Sequence, residues 1–122
     1  MKYSLFIISI CLSAKALTSS WVEVLGPTDS AYIDIDNITK DRGFVFYSSM
    51  SNMSSMGLNS VITKIKADCN EKKIIQLAKT YYGQTMGRGI KYEEDEGEKI
   101  EFYPKENSME YKIMNFACKK TK

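Results

Sequence analysis

The stretch VITKIKADC, residues 61–69, decides the fold of this 122-residue chain. Its odd-numbered side chains share one face of an extended backbone: Val61, Thr63, Ile65, Ala67 and Cys69. The even-numbered positions carry two lysines and an aspartate, so the opposite face meets water. A period of two predicts a β-strand, and it places Cys69 on the side of the core.

Similar patterns predict the other strands of one antiparallel sheet. Apolar, β-branched and aromatic runs predict strands at 21–25, 31–36, 44–49, 73–82 and 99–103, with a brief pairing at 90–92. In the second of these, Asp34 and Asp36 are predicted to lie on the solvated face. Asp41-Arg42-Gly43 predicts a hairpin turn.

Two segments lack a strand pattern. Residues 51–59 are Ser, Asn, Met, Leu and Gly with no periodic apolar face, which predicts a mobile loop. Residues 93–98 are almost wholly acidic and are expected to form a solvated loop.

The C-terminal segment predicts the one helix. Asn107 or Ser108 can cap it, and from Met109 to Lys119 a narrow polar stripe is formed by Lys112, Asn115 and Lys119. A helix that is apolar around most of its circumference must lie flat on a large surface. The sequence therefore predicts an α+β fold, in which about six antiparallel strands carry this helix on one face.

The N-terminus has the features of a cleaved signal peptide. Lys2 is followed by an apolar run from Leu5 to Leu12 and by the small residues Ala14 and Ala16, so we expect residues 1–16 to be removed and 17–122 to form one domain. The apolar run is too short to span a bilayer. Because Ile10 precedes Cys11 where lipidation needs a small residue, we expect no lipid anchor.

Cleavage would change both the charge and the cysteine count. The leader holds Lys2 and Lys15 and no acid, so the 17 basic residues fall by two and equal the 15 acidic ones. A neutral chain gives no reason to expect nucleic acid or an anionic membrane as a partner. Cys69 and Cys118 remain as a pair in an oxidising compartment, which predicts a disulfide that ties the helix to the sheet.

The chemistry available to the chain is narrow. It has no histidine, which removes Ser-His-Asp and Cys-His catalysis and the commonest metal ligand. No Ser-Lys pair or carboxylate pair has a spacing that indicates catalysis. Residues 34–37 resemble the beginning of a calcium-binding loop, but the residues that follow do not match the rest of such a loop. We therefore predict no catalytic residues, no metal site and no cofactor.

Two features could contact a partner. Met50, Met53 and Met56 recur every third residue, and a thioether-rich loop suits either an adaptable protein contact or, as an alternative, Cu(I). Lys119, Lys120 and Lys122 form a basic tail whose end joins an ammonium to a carboxylate, a combination that lysine-binding modules of plasma proteins recognise. The alternative is a frayed tail without a partner.

The order of landmarks resembles the surface-adhesin protein E family of Gram-negative bacteria. The matching positions span nearly the whole mature chain: Trp21, Tyr32-Ile33-Asp34, Ile38, Gly43, Asp68-Cys69, Tyr81-Tyr82, Pro104, Ser108 and Cys118. The resemblance implies the same sheet-plus-helix fold and a protein that binds host extracellular-matrix and plasma proteins at the cell surface.

The prediction is an exported, non-enzymatic protein-binding module of the periplasm or cell surface. An alternative is a periplasmic inhibitor or accessory protein, and a third hypothesis is capture of a metal or small ligand by the methionine-rich segment. An unpaired edge strand would also permit a homodimer.

Overall fold

The computed structural model describes residues 19–25, 30–95 and 99–121, which form eight strands, one α-helix and two 3-10 turns at Ile35–Asn37 and Thr85–Gly87. The helix α1 begins at Met109 and ends at Lys120. The strands in chain order are β1 (Trp21–Leu25), β2 (Ser30–Asp34), β3 (Thr39–Asp41), β4 (Phe44–Ser55), β5 (Leu58–Asp68), β6 (Lys73–Tyr82), β7 (Lys91–Asp95) and β8 (Ile100–Phe102). The predicted α+β class is confirmed, with eight strands instead of about six. The predicted signal peptide, residues 1–16, lies outside the described residues.

All strand pairs in the described sheet are antiparallel. The order is β1-β2-β4-β5-β6-β7, while β3 pairs with the start of β4 and β8 with the start of β6. Across the centre, Ala67 of β5 lies between Val45 of β4 and Ile74 of β6. The alternation in residues 61–69 thus places its apolar face on the core, as predicted, and Ala67 is fully buried.

The helix α1 covers one face of the sheet and contacts β1, β2 and β4. Ser108 caps it, because its Oγ accepts the backbone N–H of Tyr111 at 3.2 Å. Ile113, Met114 and Ala117 are buried against the apolar side chains of the sheet. The Cys69–Cys118 disulfide, with Cα atoms 6.0 Å apart, joins the end of the helix to the end of β5 and confirms the predicted bond.

The prediction of a mobile loop at 51–59 is wrong. Strand β4 continues to Ser55 and β5 starts at Leu58, so only Met56-Gly57 forms the turn. Backbone pairing across the hairpin, such as that of Ser51 with Val61, orders this segment, although its polar side chains show no strand pattern. The segment is therefore a β-hairpin that carries methionines, and a bulge lies between Asn52 and Ser55.

Asp34 does not lie on a solvated face, which corrects another expectation. It is 4% exposed, and its carboxylate accepts hydrogen bonds from the backbone N–H of Ser20 at 3.1 Å and of Asp36 at 3.3 Å and from Asn37 Nδ2 at 2.7 Å. The chain leaves β2 at this point for a 3-10 turn at Ile35–Asn37. Asp34 is buried because it caps that turn, whereas Asp36 is exposed as predicted.

The acidic segment also differs from its predicted form. Residues 93–95 belong to β7, whose backbone pairs with β6 at Tyr81, Thr80 and Lys79, and residues 96–98 lie outside the described part of the chain. Pairing to a neighbouring strand has overridden the weak β propensity of the acidic side chains. The short strand predicted at 90–92 is therefore longer and displaced by one residue.

Candidate functional site

The three methionines of the predicted contact segment lie at different depths. Met50 is 1% exposed, Met53 is half-buried and Met56, at the tip of the hairpin, is 99% exposed. Their sulfurs thus share no exposed site, which removes the geometric argument for Cu(I). Because Met50 is buried, it cannot contact a partner protein. Met53 and Met56 remain the predicted partner contacts of this segment.

Residues 83–89 cover Met50 on the face of the sheet that α1 leaves open. The buried Ser60 hydroxyl donates to the Gln84 carbonyl at 2.6 Å and accepts the Gly87 N–H at 2.9 Å. Gly87 has a φ of +67°, and a Cβ there would stand 2.9 Å from Ile62 Cδ1 and 3.5 Å from Met50 Sδ. The glycine-rich stretch is therefore a packed cover held by Ser60, and it needs glycine at 87.

The tip of the hairpin is strained in a way that can be measured. Met56 has a φ of +51° and Gly57 one of +85°, as a two-residue turn of type I′ requires, and this conformation favours Asn over Met at the first position. We expect Met56→Asn to raise the free energy of unfolding by about 0.5–1 kcal/mol in urea titrations. The matched change Met53→Asn in the adjoining strand should not stabilise the protein, and a destabilised Met56→Asn variant would contradict the assigned turn.

The described lysines of the C-terminal tail are exposed. Lys119 and Lys120 occupy the last turn of α1, and Lys122 lies outside the described residues. Thr121 follows the helix and donates its hydroxyl to the Cys118 carbonyl at 3.2 Å. The tail is thus anchored up to Thr121 beside the disulfide, and its role as a partner contact stays a prediction.

Four of the six large apolar side chains that are exposed among the described residues lie on or next to β7 and β8. Ile90, Tyr92, Ile100 and Tyr103 are each more than half exposed, between 53% and 67%. We call these four residues together with strands β7 and β8 the β7–β8 edge. Ile90 and Tyr92 flank Lys91, which pairs with Tyr82 at the end of β6. Ile100 pairs with Gln76, six residues earlier on β6, so the four side chains are spread along the edge and suit an extended partner chain.

Strand pairing makes this surface an open edge. Both β7 and β8 pair with the same side of β6, β8 with residues 74–76 and β7 with residues 79–82. No strand among the described residues pairs with their outer sides. An open strand offers unpaired backbone N–H and C=O groups, so another chain can add to the sheet there.

One partly exposed ion pair reaches from β8 to the start of β6. Lys73 Nζ lies 3.3 Å from Glu101 Oε1, so an ion pair joins β6 to β8, and the hydrogen bond and charge of Glu101 raise the pKa of Lys73. Glu101 keeps more than half of its side chain exposed, so the pair contributes little stability. Tyr47 lies in the core, away from this ion pair. Its burial raises the pKa of its hydroxyl, and the negative charge of Glu110 raises it further.

Sequence reasoning missed the β7–β8 edge. The available signal was the pair of short apolar segments, 90–92 and 99–103, on either side of an acidic run. Their importance depends on both strands pairing with one side of β6, and strand order is not visible in the pattern of a single strand.

Among the described residues no helix is long and apolar enough to cross a membrane. Within the same residues, no three or more Cys, Asp or Glu side chains gather where they could hold a metal ion.

Comparisons with known proteins agree with this architecture. The family model for surface-adhesin protein E matches residues 21–119. The chain is similar to the selenomethionine form of Haemophilus influenzae protein E, with a TM-score of 0.69, 16% identity and coverage of 84% of this chain and 88% of that one. A second structure of H. influenzae protein E gives a TM-score of 0.64 at 16% identity, covering 81% and 93% of the two chains. A comparison with curated proteins gives no significant match. At this identity the structural likeness establishes the fold.

Proposed function

Because this chain belongs to the surface-adhesin protein E family, we propose that it is an exported, non-enzymatic module that binds host extracellular-matrix or plasma proteins through the β7–β8 edge. The observation that carries the proposal is the exposed apolar group on two strands with open outer sides. The open backbone supplies hydrogen bonds to an added strand, and the side chains at 90, 92, 100 and 103 supply apolar area.

Direct binding of purified, oxidised protein tests the proposal. Surface plasmon resonance against a panel of matrix and plasma proteins, with serum albumin as the negative control, should identify at least one binder. The variant Ile90→Ser/Ile100→Ser/Tyr103→Ser should weaken that binding at least about tenfold, as loss of several apolar contacts does at an interface. The removed side chains are exposed, so the thermal midpoint should change little.

The matched control is Leu25→Ser. Leu25 is 71% exposed and lies on β1, so this variant also removes exposed apolar area, but from outside both the β7–β8 edge and the methionine hairpin. Its affinity should stay within about twofold of the parent protein. Equal losses in both variants, or no binder in the panel, would refute the assignment of the edge.

The predicted tail is a separate contact to a different kind of partner module. If plasma proteins with lysine-binding modules bind Lys119, Lys120 and Lys122, then 6-aminohexanoate should compete for that binding and leave binding at the β7–β8 edge unchanged. If 6-aminohexanoate competes for binding and the triple serine variant binds as tightly as the parent protein, the contact lies at the tail and not at the β7–β8 edge.

Localisation separates an adhesin from a periplasmic accessory protein. We propose that the protein reaches the outer surface, so protease added to intact cells should remove it. Protection until the outer membrane is opened would favour the accessory role.

A further inference from the structure

A cleft of about 370 Å³ lies beside the Cys69–Cys118 disulfide. Three segments form its walls: β3 with the turn to β4, the chain after β5, and the end of α1. Lys40, Lys72 and Lys119 line it, one from each segment, and none of the described residues that line it is acidic. We propose that this cleft binds an acidic saccharide, a sugar unit that carries sulfate or carboxylate groups.

The charge of the cleft is local. Without its predicted leader the chain has equal numbers of basic and acidic residues, so three lysines around one concave site are not a consequence of overall basicity. A concave site lined by charges of one sign concentrates the potential and attracts counter-ions. The positive potential of the cleft therefore favours binding of an anionic ligand.

The end of α1 does not cancel this attraction. A helix C-terminus carries only about half a negative charge, against three positive charges in the cleft. Two of its carbonyls, those of Ala117 and Cys118, accept the Thr121 hydroxyl at 3.4 and 3.2 Å. The repulsion that an anion meets from the helix is therefore the smaller effect.

One lysine is held in position before any ligand arrives. Lys72 Nζ donates to Asn115 Oδ1 at 3.3 Å and lies 5.8 Å from the centre of the Tyr111 ring. The disulfide fixes the two cleft walls that contain Cys69 and Cys118. An ordered charge loses less conformational entropy when it binds a ligand.

The remaining polar lining favours a saccharide over a peptide. Asn70, Asn115 and Thr121 offer amide and hydroxyl groups that can pair with sugar hydroxyls, while the lysines pair with the acidic substituents. The volume lies within the range of small-ligand sites, about 300–1,000 Å³. An extended peptide instead needs an open strand edge, which the sheet offers at β7 and β8. The inference does not depend on the proposed function.

Isothermal titration calorimetry on the oxidised full-length mature protein tests the inference. The probes are a heparin tetrasaccharide with sulfates and carboxylates, a hyaluronan tetrasaccharide with carboxylates alone, neutral maltotetraose, and inorganic sulfate. The variant Lys40→Gln/Lys72→Gln/Lys119→Gln should raise the Kd for the acidic tetrasaccharide at least about tenfold. Maltotetraose should give no binding.

A matched variant separates the cleft from bulk charge. Lys99→Gln/Lys105→Gln/Lys112→Gln removes the same charge from exposed positions outside the cleft, and its Kd should stay within about twofold of the parent. Circular dichroism and the thermal midpoint confirm that both variants fold. Binding of heparin alone identifies sulfate as the recognised group, and binding of both acidic probes extends it to carboxylate.

Three results would overturn the proposal. They are absence of binding by both acidic tetrasaccharides, an equal loss of affinity in the two lysine variants, and inorganic sulfate binding as tightly as the tetrasaccharide. The last would mean that the sugar contributes nothing.

Discussion

Replacing Cys69 and Cys118 together with serine is expected to lower the free energy of unfolding by about 4 kcal/mol. The disulfide closes a loop with a sequence separation of 49 residues, and the chain-entropy model assigns about that value to such a loop. Small domains hold only about 5–15 kcal/mol in total, so the variant should melt about 20 °C lower. Urea and thermal unfolding followed by circular dichroism measure both quantities.

Reduction provides the control for that variant. Dithiothreitol should bring the parent protein down to the stability of the double serine variant and should leave the variant itself unchanged. A loss below about 1 kcal/mol would mean that helix and sheet stay together without the covalent bond, and would remove the disulfide from the account of stability.

Met114→Ala is expected to cost about 3 kcal/mol. Met114 is fully buried where α1 meets the sheet, so truncation removes apolar contacts and leaves a cavity. Alanine has a slightly higher helix propensity than methionine, so the loss measures packing and not helix formation. Met114→Leu, which nearly conserves volume, should cost less than about 1.5 kcal/mol.

Lys112→Ala is the control on the same helix. Lys112 is exposed two residues away, and its replacement should change the free energy of unfolding by no more than about 0.5 kcal/mol. Similar costs for Met114→Ala and Lys112→Ala would contradict the packing of α1 on the sheet.

The parts of the fold that were predictable are those with a periodic signal. Strands β1 and β6 begin and end where the apolar runs do, and Ser108 caps the helix that starts at Met109. The disulfide followed from a count of cysteines. In each case the local pattern and the tertiary structure favour the same conformation.

The failures occurred where tertiary contacts decide the structure. Ser51–Ser55 has no β-branched residues, and only pairing with β5 makes it a strand. Asp34 has the spacing of a solvated residue but is buried, because three hydrogen-bond donors converge on its carboxylate. A single sequence does not display such donors.

The candidate sites were harder to predict than the fold. The three-residue spacing of the methionines suggested one shared surface, yet strand geometry with a bulge leaves Met50 buried and Met56 exposed. The cleft unites lysines from three distant segments, and the β7–β8 edge depends on strand order. Both surfaces are properties of the assembled sheet.

Hydrogen exchange of the bound protein tests the central claim most directly. The matrix or plasma protein that binds most tightly is added to the oxidised protein, and amide exchange is compared with that of the free protein by mass spectrometry. The account predicts slower exchange at Lys91–Asp95 and Ile100–Phe102, the two strands of the β7–β8 edge. Protection confined to the Met56 hairpin or to the lysine cleft, with β7 and β8 unchanged, would contradict it.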